Sequence, residues 1–147
     1  MDTLKVRSIL LVADDNPDDR LLIEEAWQEA SSVNLQLVED GEELMNVLHH
    51  RSKLFAADLS DVPNLILIDL NMPRKNGYEA LAEIKTTPGL KKIPVVVMTT
   101  SAARSDINRS YELGASAYIT KPNSFDELVE LMQVLHNYWF ETITLPD

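Results

Sequence analysis

The sequence predicts an α/β fold, a doubly wound parallel sheet with helices on both faces, and three observations predict it. Five short apolar runs recur along the 147 residues. Stretches with helix-type apolar spacing separate them, the alternation that builds parallel strands joined by right-handed crossovers. The runs end on polar or charged residues, most clearly Asp69 after Leu65-Ile-Leu-Ile68. An apolar run bounded by turn signals reads as a strand buried on both faces. Ligands of open α/β sheets collect beyond the carboxyl ends of the strands, so function is sought where the runs end.

The first strand is read at Ser8 to Ala13, ending in Asp14-Asp15. Asn16-Pro17-Asp18-Asp19 then starts a helix: the amide caps, proline suits the first helical position, and the acids favour the positive dipole end. Leu22, Ile23, Ala26, Trp27 and Ala30 form its apolar face, and Ser31-Ser32 end it. Asn34 to Val38 alternates and is the second strand. Asp40-Gly41-Glu42-Glu43 opens a helix carrying Leu44, Met45, Val47 and Leu48. Arg51 to Pro63 is polar and mixed, and is read as a loop with at most a helical turn near Leu54 and Phe55. The third strand is Leu65 to Ile68, followed by turn signals at Pro73 and Asn76-Gly77. The next helix carries Ala80, Leu81 and Ile84 and stops before Pro88-Gly89. Pro94 to Thr99 is the fourth strand, the most β-branched segment. A largely polar helix follows, with Ile107 and Tyr111 as its main apolar contacts and Gly114 as its stop. Ala115 to Thr120 is the fifth strand, ending at Lys121-Pro122, and Ser124-Phe-Asp-Glu127 reads as a capping box for the last helix. In the tail, Thr142-Ile-Thr-Leu145 alternates.

Composition narrows the function classes. The length suits one domain with a core that needs no disulfides, and the absence of cysteine excludes a disulfide scaffold or thiolate metal site. The net charge of -11, from 24 acidic and 13 basic residues, argues against nucleic-acid binding. No signal-peptide pattern and no apolar run of membrane-spanning length is present, so the expectation is a cytoplasmic protein without a membrane partner. His49, His50 and His136 are expected to be solvated rather than metal ligands, since adjacent histidines do not share a helical face.

Parallel strands place Asp14, Asp15, Asp69, Asn71, Thr99 and Lys121 along one sheet edge. Three carboxylates in one pocket repel each other and call for a cation or a raised pKa. Mg²⁺ suits them, since it takes oxygen ligands and is held by one or two carboxylates beside a phosphate; the Asn71 backbone carbonyl offers a further ligand. Asp69 then qualifies as a carboxylate nucleophile toward a phosphoryl group. The Lys121 ammonium and the Thr99 hydroxyl are suited to neutralise its oxygens.

The residues that carry this argument also carry a resemblance. Ile9-Leu-Leu-Val-Ala-Asp-Asp-Asn-Pro-Asp-Asp19, Leu67-Ile-Asp-Leu-Asn-Met-Pro73, Val97-Met-Thr-Thr-Ser101 and Gly114-Ala-Ser-Ala-Tyr-Ile-Thr-Lys-Pro122 resemble the receiver domain of two-component response regulators (the CheY-like superfamily), over roughly Ile9 to Leu135. The resemblance implies a (βα)5 flavodoxin-like sheet of strand order 2-1-3-4-5. It implies Asp69 as phosphoacceptor, modified to an aspartyl phosphate by a histidine kinase, and Mg²⁺ held by Asp14, Asp15, Asp69 and Asn71. Thr99 and Lys121 would bind the phosphoryl group, with no enzyme activity beyond self-catalysed phosphotransfer and autodephosphorylation. It also implies a switch in which Thr99 moves toward the phosphate and Tyr118 fills the vacated space. Lys121-Pro122 is either a plain strand terminator or, as the family pattern has it, a cis peptide. Thr100 departs from the pattern, where a very small residue is usual, and its bulk would slow access of donor or water. The long stretch before Asn64, the Asn-Pro-Asp-Asp start and the Thr-Leu-Pro ending further resemble single-domain regulators paired with cyanobacterial phytochromes, which implies a light-sensing kinase as donor.

The division expected is a receiver domain over 1–139 and a tail over 140–147 that dimerises or covers its own helix. With no DNA-binding motif following, output is expected to run through protein contacts to a target the sequence does not name. Phe125, Leu128, Met132, Leu135 and Trp139 form one stripe on the last helix, and Leu131, Val134 and Tyr138 widen it beyond what packing on a sheet needs. Leu131, Val134, Tyr138 and Trp139 are therefore expected in a homodimer interface. Two alternatives stand beside the phosphoacceptor. One is a Mg²⁺-dependent aspartyl phosphohydrolase, disfavoured because Asn71 occupies the place of its second acid. The other is a dimeric binding module that works without phosphorylation.

Overall fold

A computed structural model describes residues 8–55 and 63–144. Its strands are β1 (Ile9–Ala13), β2 (Asn34–Val38), β3 (Leu65–Ile68), β4 (Val95–Thr99) and β5 (Ala117–Thr120). Its α-helices are α1 (Pro17–Ala30), α2 (Gly41–Phe55), α3 (Gly77–Thr86), α4 (Arg104–Glu112) and α5 (Phe125–His136), the last continuing into a π-helical segment, Asn137–Thr142. The strands form one parallel sheet in the order β2-β1-β3-β4-β5, so the fold expected from the sequence is the fold observed.

Alternation along the strands supplies two cores. Leu11, Ala13, Ile66, Ile68, Val95 and Val97 face Leu44, Met45 and Leu48 of α2 and Ala80, Leu81 and Ile84 of α3. Leu10, Val12, Leu65, Leu67, Val96 and Met98 face Ile23, Ala26 and Trp27 of α1 and Leu128, Met132 and Leu135 of α5. Every residue of β3 and β4 is buried, which is why these runs lack a polar face. Asn16 caps α1, its side chain accepting from the Asp18 and Asp19 N–H groups. Asn76 and Glu79 form a reciprocal capping box at α3, a device not read from the Asn-Gly pair. At α5 one half of the expected box is made, the Glu127 N–H donating to Ser124 Oγ.

Several expectations are corrected. The loop over 51–63 does not begin at Arg51, because α2 runs on to Phe55; residues 56–62 lie outside the described ones. Tyr111 is 49% exposed and is no core contact of α4, whose buried residue is the small Ser110. Thr142, the first residue of the alternating tail, closes the π-helical segment; Leu145 lies outside the described residues. The Lys121–Pro122 peptide is trans, leaving the plain terminator. His136 is not solvated. Its side chain is 14% exposed, hydrogen-bonded through Nδ1 to Ser31 Oγ at 2.7 Å and stacked on Phe140, beside Trp27. His49 pairs with Glu83 at 2.8 Å, while His50 is exposed.

Candidate functional site

Sheet register brings the site together. Ala13 pairs with Ile68, so Asp14 and Asp69 leave neighbouring strands at one level, and the Asp69 N–H donates to the Ala13 carbonyl at 3.0 Å. The Lys121 N–H donates to the Thr99 carbonyl at 2.8 Å, which places the lysine beside the end of β4. The loop after β3 is then held from two sides. Gly77 N–H donates to Leu70 O at 2.9 Å, and Gly41 N–H to Lys75 O at 3.1 Å. Both positions demand glycine, because a Cβ on Gly77 would stand 2.4 Å from Asp69 O and one on Gly41 would stand 2.1 Å from Lys75 O. Arg74, at φ 65°, reaches Asp40 through Nε at 2.9 Å and through its terminal nitrogen at 2.6 Å. Asp40 in turn caps α2 by accepting from the Glu43 N–H at 2.8 Å.

Asp69 is buried and both its oxygens are engaged. Oδ1 accepts from Thr99 Oγ1 at 2.9 Å and from the Asn71 N–H at 3.1 Å, and Oδ2 accepts from Lys121 Nζ at 2.6 Å. Lys121 Nζ also lies 2.8 Å from Asp14 Oδ2 and 2.8 Å from Asp19 Oδ2. Asp14 Oδ1 accepts from the Asn16 N–H at 2.9 Å. Burial pushes the Asp14 carboxyl above its ordinary value, against the pull of Lys121 and the Asn16 N–H. Burial alone would lower the Lys121 pKa, but its bonds to Asp14, Asp19 and Asp69 outweigh that and hold it above the ordinary lysine value. The site therefore keeps a fixed positive charge among carboxylates.

Asp14, Asp15 and Asp69 each offer an oxygen, all within 4.8 Å of one another. The donor set is all oxygen and suits Mg²⁺, which binds such ligands at about 2.0–2.1 Å in an octahedron that tolerates waters. Asn71 is exposed beside these acids. Tyr118 is half-buried, packs against the core and donates its hydroxyl to Ser101 O at 2.8 Å. Of the residues expected in an interface, Val134 and Tyr138 are 61% and 50% exposed, whereas Leu131 and Trp139 are half-buried against the chain's own core.

Three contributions were missed in the sequence. Asp19 was read only as a first-turn acid, yet it is the third partner of Lys121. Side chains in a helix lean back toward its N-terminus, and that lean, applied to the first turn of α1, would have aimed Asp19 at the sheet edge. Arg20 donates to the Asp14 carbonyl at 2.8 Å, for which the sequence holds no comparable signal. Asp106 receives the Tyr78 hydroxyl and, at 2.6 Å, the Ser101 hydroxyl. These bonds, Ser101's first, hold its carboxyl below the usual range. Burial and the bond to Asp106 push the Tyr78 phenol up to about 12.

Comparison with known proteins agrees with this geometry. A family model described as the response regulator receiver domain matches residues 10–133. The response regulator Rcp1 of Synechocystis sp. (strain ATCC 27184 / PCC 6803 / Kazusa) is 43% identical over 138 residues, covering 94% of this chain and 92% of that one. The phosphorylated cyanobacterial phytochrome response regulator RcpA has a similar structure, with a TM-score of 0.83 and 40% identity over 95% of this chain and 98% of that one. The Mn²⁺-bound form of Rcp1 superposes with a TM-score of 0.80 at 40% identity, over 95% and 99% of the two chains. A match of this length, on a sheet whose edge gathers Asp14, Asp15, Asp69, Thr99 and Lys121, makes this chain a member of the response regulator receiver domain family, a CheY-like receiver of two-component signalling.

Proposed function

We propose that the chain accepts a phosphoryl group on Asp69 from the phosphohistidine of a histidine kinase and signals in the cytoplasm through protein contacts. The observation that carries this reading is the setting of Asp69, a buried carboxylate that receives both the Thr99 hydroxyl and the Lys121 ammonium while sharing an all-oxygen cluster with Asp14 and Asp15. In the transfer an Asp69 oxygen attacks phosphorus, the O–P bond forms, the P–N bond to histidine breaks, and its electron pair returns to the imidazole. Asp14, Asp15, Asp69 and the Asn71 carbonyl would hold Mg²⁺, which when bound would neutralise charge on the phosphoryl oxygens. Lys121 and Thr99 pass from Asp69 to the phosphoryl oxygens, so the donors that now hold the empty acceptor stabilise the loaded one. Thr99 is fully buried, and its departure leaves a space that the Tyr118 ring enters after leaving Ser101. Loss of the group by attack of water is the chain's own autodephosphorylation, slowed where Thr100 narrows access.

The similarity to Rcp1 and RcpA supports a phytochrome-type, light-sensing kinase as donor. The receiver is assigned to 1–139 and the tail to 140–147, and a second copy of the chain is proposed to dock on α5 around Leu131, Val134, Tyr138 and Trp139. Incubation with acetyl phosphate and Mg²⁺ tests the central reading by intact mass. One phosphoryl group per chain is expected, lost in Asp69→Asn and on removal of Mg²⁺ with EDTA. Multiple turnover of a small phosphate ester would instead establish a phosphohydrolase, and no incorporation would leave a binding module.

A further inference from the structure

An ammonium carries three N–H donors and no acceptor. Three carboxylate oxygens surround Lys121 Nζ, those of Asp14 and Asp19 at 2.8 Å and that of Asp69 at 2.6 Å, so the lysine is saturated. Its three partners are not equivalent. Asp14 and Asp69 stand at strand ends inside the three-acid cluster and their side chains are 2% and 7% exposed. Asp19 lies outside that cluster, on the first turn of α1, and its side chain is 35% exposed. Its backbone N–H is held by Asn16 Oδ1 at 3.1 Å, so a capped helix turn delivers the carboxylate to the lysine.

A divalent cation entering among Asp14, Asp15 and Asp69 meets a like charge already bonded to two of those three acids. It shares those two carboxylates with the ammonium, which holds each through Oδ2, so the two cations repel each other across them, and an ammonium pushed away without another carboxylate in a half-buried place is costly. A phosphoryl group arriving on Asp69 makes the opposite demand, since it needs the lysine drawn toward itself. We infer that Asp19 is a positioning residue acting through Lys121: it holds the ammonium while a divalent cation occupies the acid cluster, and it competes for that same ammonium with a phosphoryl group on Asp69.

This inference rests on the phosphoacceptor reading and adds a direction to it. The two roles carry opposite signs, which a general loosening of the site would not produce. Asp19→Asn keeps the size of the side chain and removes its charge. On the full chain, Mg²⁺ affinity is measured by isothermal titration calorimetry, and beryllofluoride affinity at saturating Mg²⁺ by ¹⁹F NMR. Asp19→Asn is expected to weaken Mg²⁺ binding and to tighten beryllofluoride binding, each roughly two- to fivefold, the range a partly exposed carboxylate's charge supplies. Asp19→Glu is expected to restore both toward the wild type. Unchanged affinities, or two shifts in the same direction, overturn the inference. A wild-type chain that binds Mg²⁺ but no beryllofluoride overturns the phosphoacceptor reading together with the competition role, and the Mg²⁺ measurement then decides the holding role alone.

Discussion

Charge placement decides behaviour at the scale of single residues. Lys121 makes a cluster of buried acids tolerable, and the same contacts explain why its ammonium holds its proton so firmly. A second acid, Asp40, shows the ordinary carboxylate case away from the site. The Glu43 N–H, ahead of the Arg74 guanidinium, holds its carboxyl below the usual range. A carboxyl with a depressed folded-state pKa contributes stability that is fully present above its unfolded value and lost as pH falls through the folded one. Asp40→Ala is expected to cost about 1–2 kcal/mol near pH 7, chiefly through the lost cap of α2. Urea titrations should find that gap narrowing below about pH 4, where the wild-type carboxylate takes up its proton. A gap constant down to pH 2 would contradict the assignment.

Between elements, the site depends on how closely the loop after β3 lies against its neighbours. Gly77 opens α3 where an added Cβ would run into the backbone of Asp69 and Leu70, and Arg74 ties the same loop to Asp40 at the start of α2. Gly77→Ala forces a backbone shift, since neither contact is a flexible side chain. Overpacking of this kind costs about 1–3 kcal/mol, and urea denaturation should show it. The acceptor is displaced as well, so acetyl phosphate labelling should fall even at temperatures where the variant remains folded. Each strand was legible in the sequence, most plainly where burial on both faces leaves β3 and β4 uniformly apolar. The length of α2 was not legible: its polar end, with Arg51, Ser52 and Lys53, carries no apolar rhythm, and only the continuous helix shows it. Tyr111 was misread for the converse reason, an aromatic at helical spacing that the fold leaves in water.

For the whole molecule, the two faces of the sheet are closed differently. The α1 and α5 face is sealed at its far end by the π-helical segment, where Phe140 meets Trp27 edge-on at 5.9 Å and stacks on His136. This splits the wide apolar surface expected on α5. Leu131 and Trp139 are drawn toward the chain's own core, while Val134 and Tyr138, four residues apart on the helical surface, face outward. A dimer through this helix therefore has those two residues at its centre. Sedimentation velocity of the full chain is expected to give a dimer, and Val134→Glu with Tyr138→Ser a monomer with unchanged circular dichroism. A wild-type monomer at all concentrations would remove the dimer.

By itself the sequence determined the fold class, the strand ends that meet on one edge, and the identities of Asp14, Asp15, Asp69, Thr99 and Lys121, because burial periodicity and strand direction are local properties of a chain. Tertiary structure decided who holds whom. The third arm of Lys121, from a helix turn 102 residues away, and the hydrogen bond of His136 to Ser31, 105 residues away, depend on the packing of elements distant in the chain. A residue's neighbours across such distances are set by how the two cores close, and no spacing in the sequence encodes them.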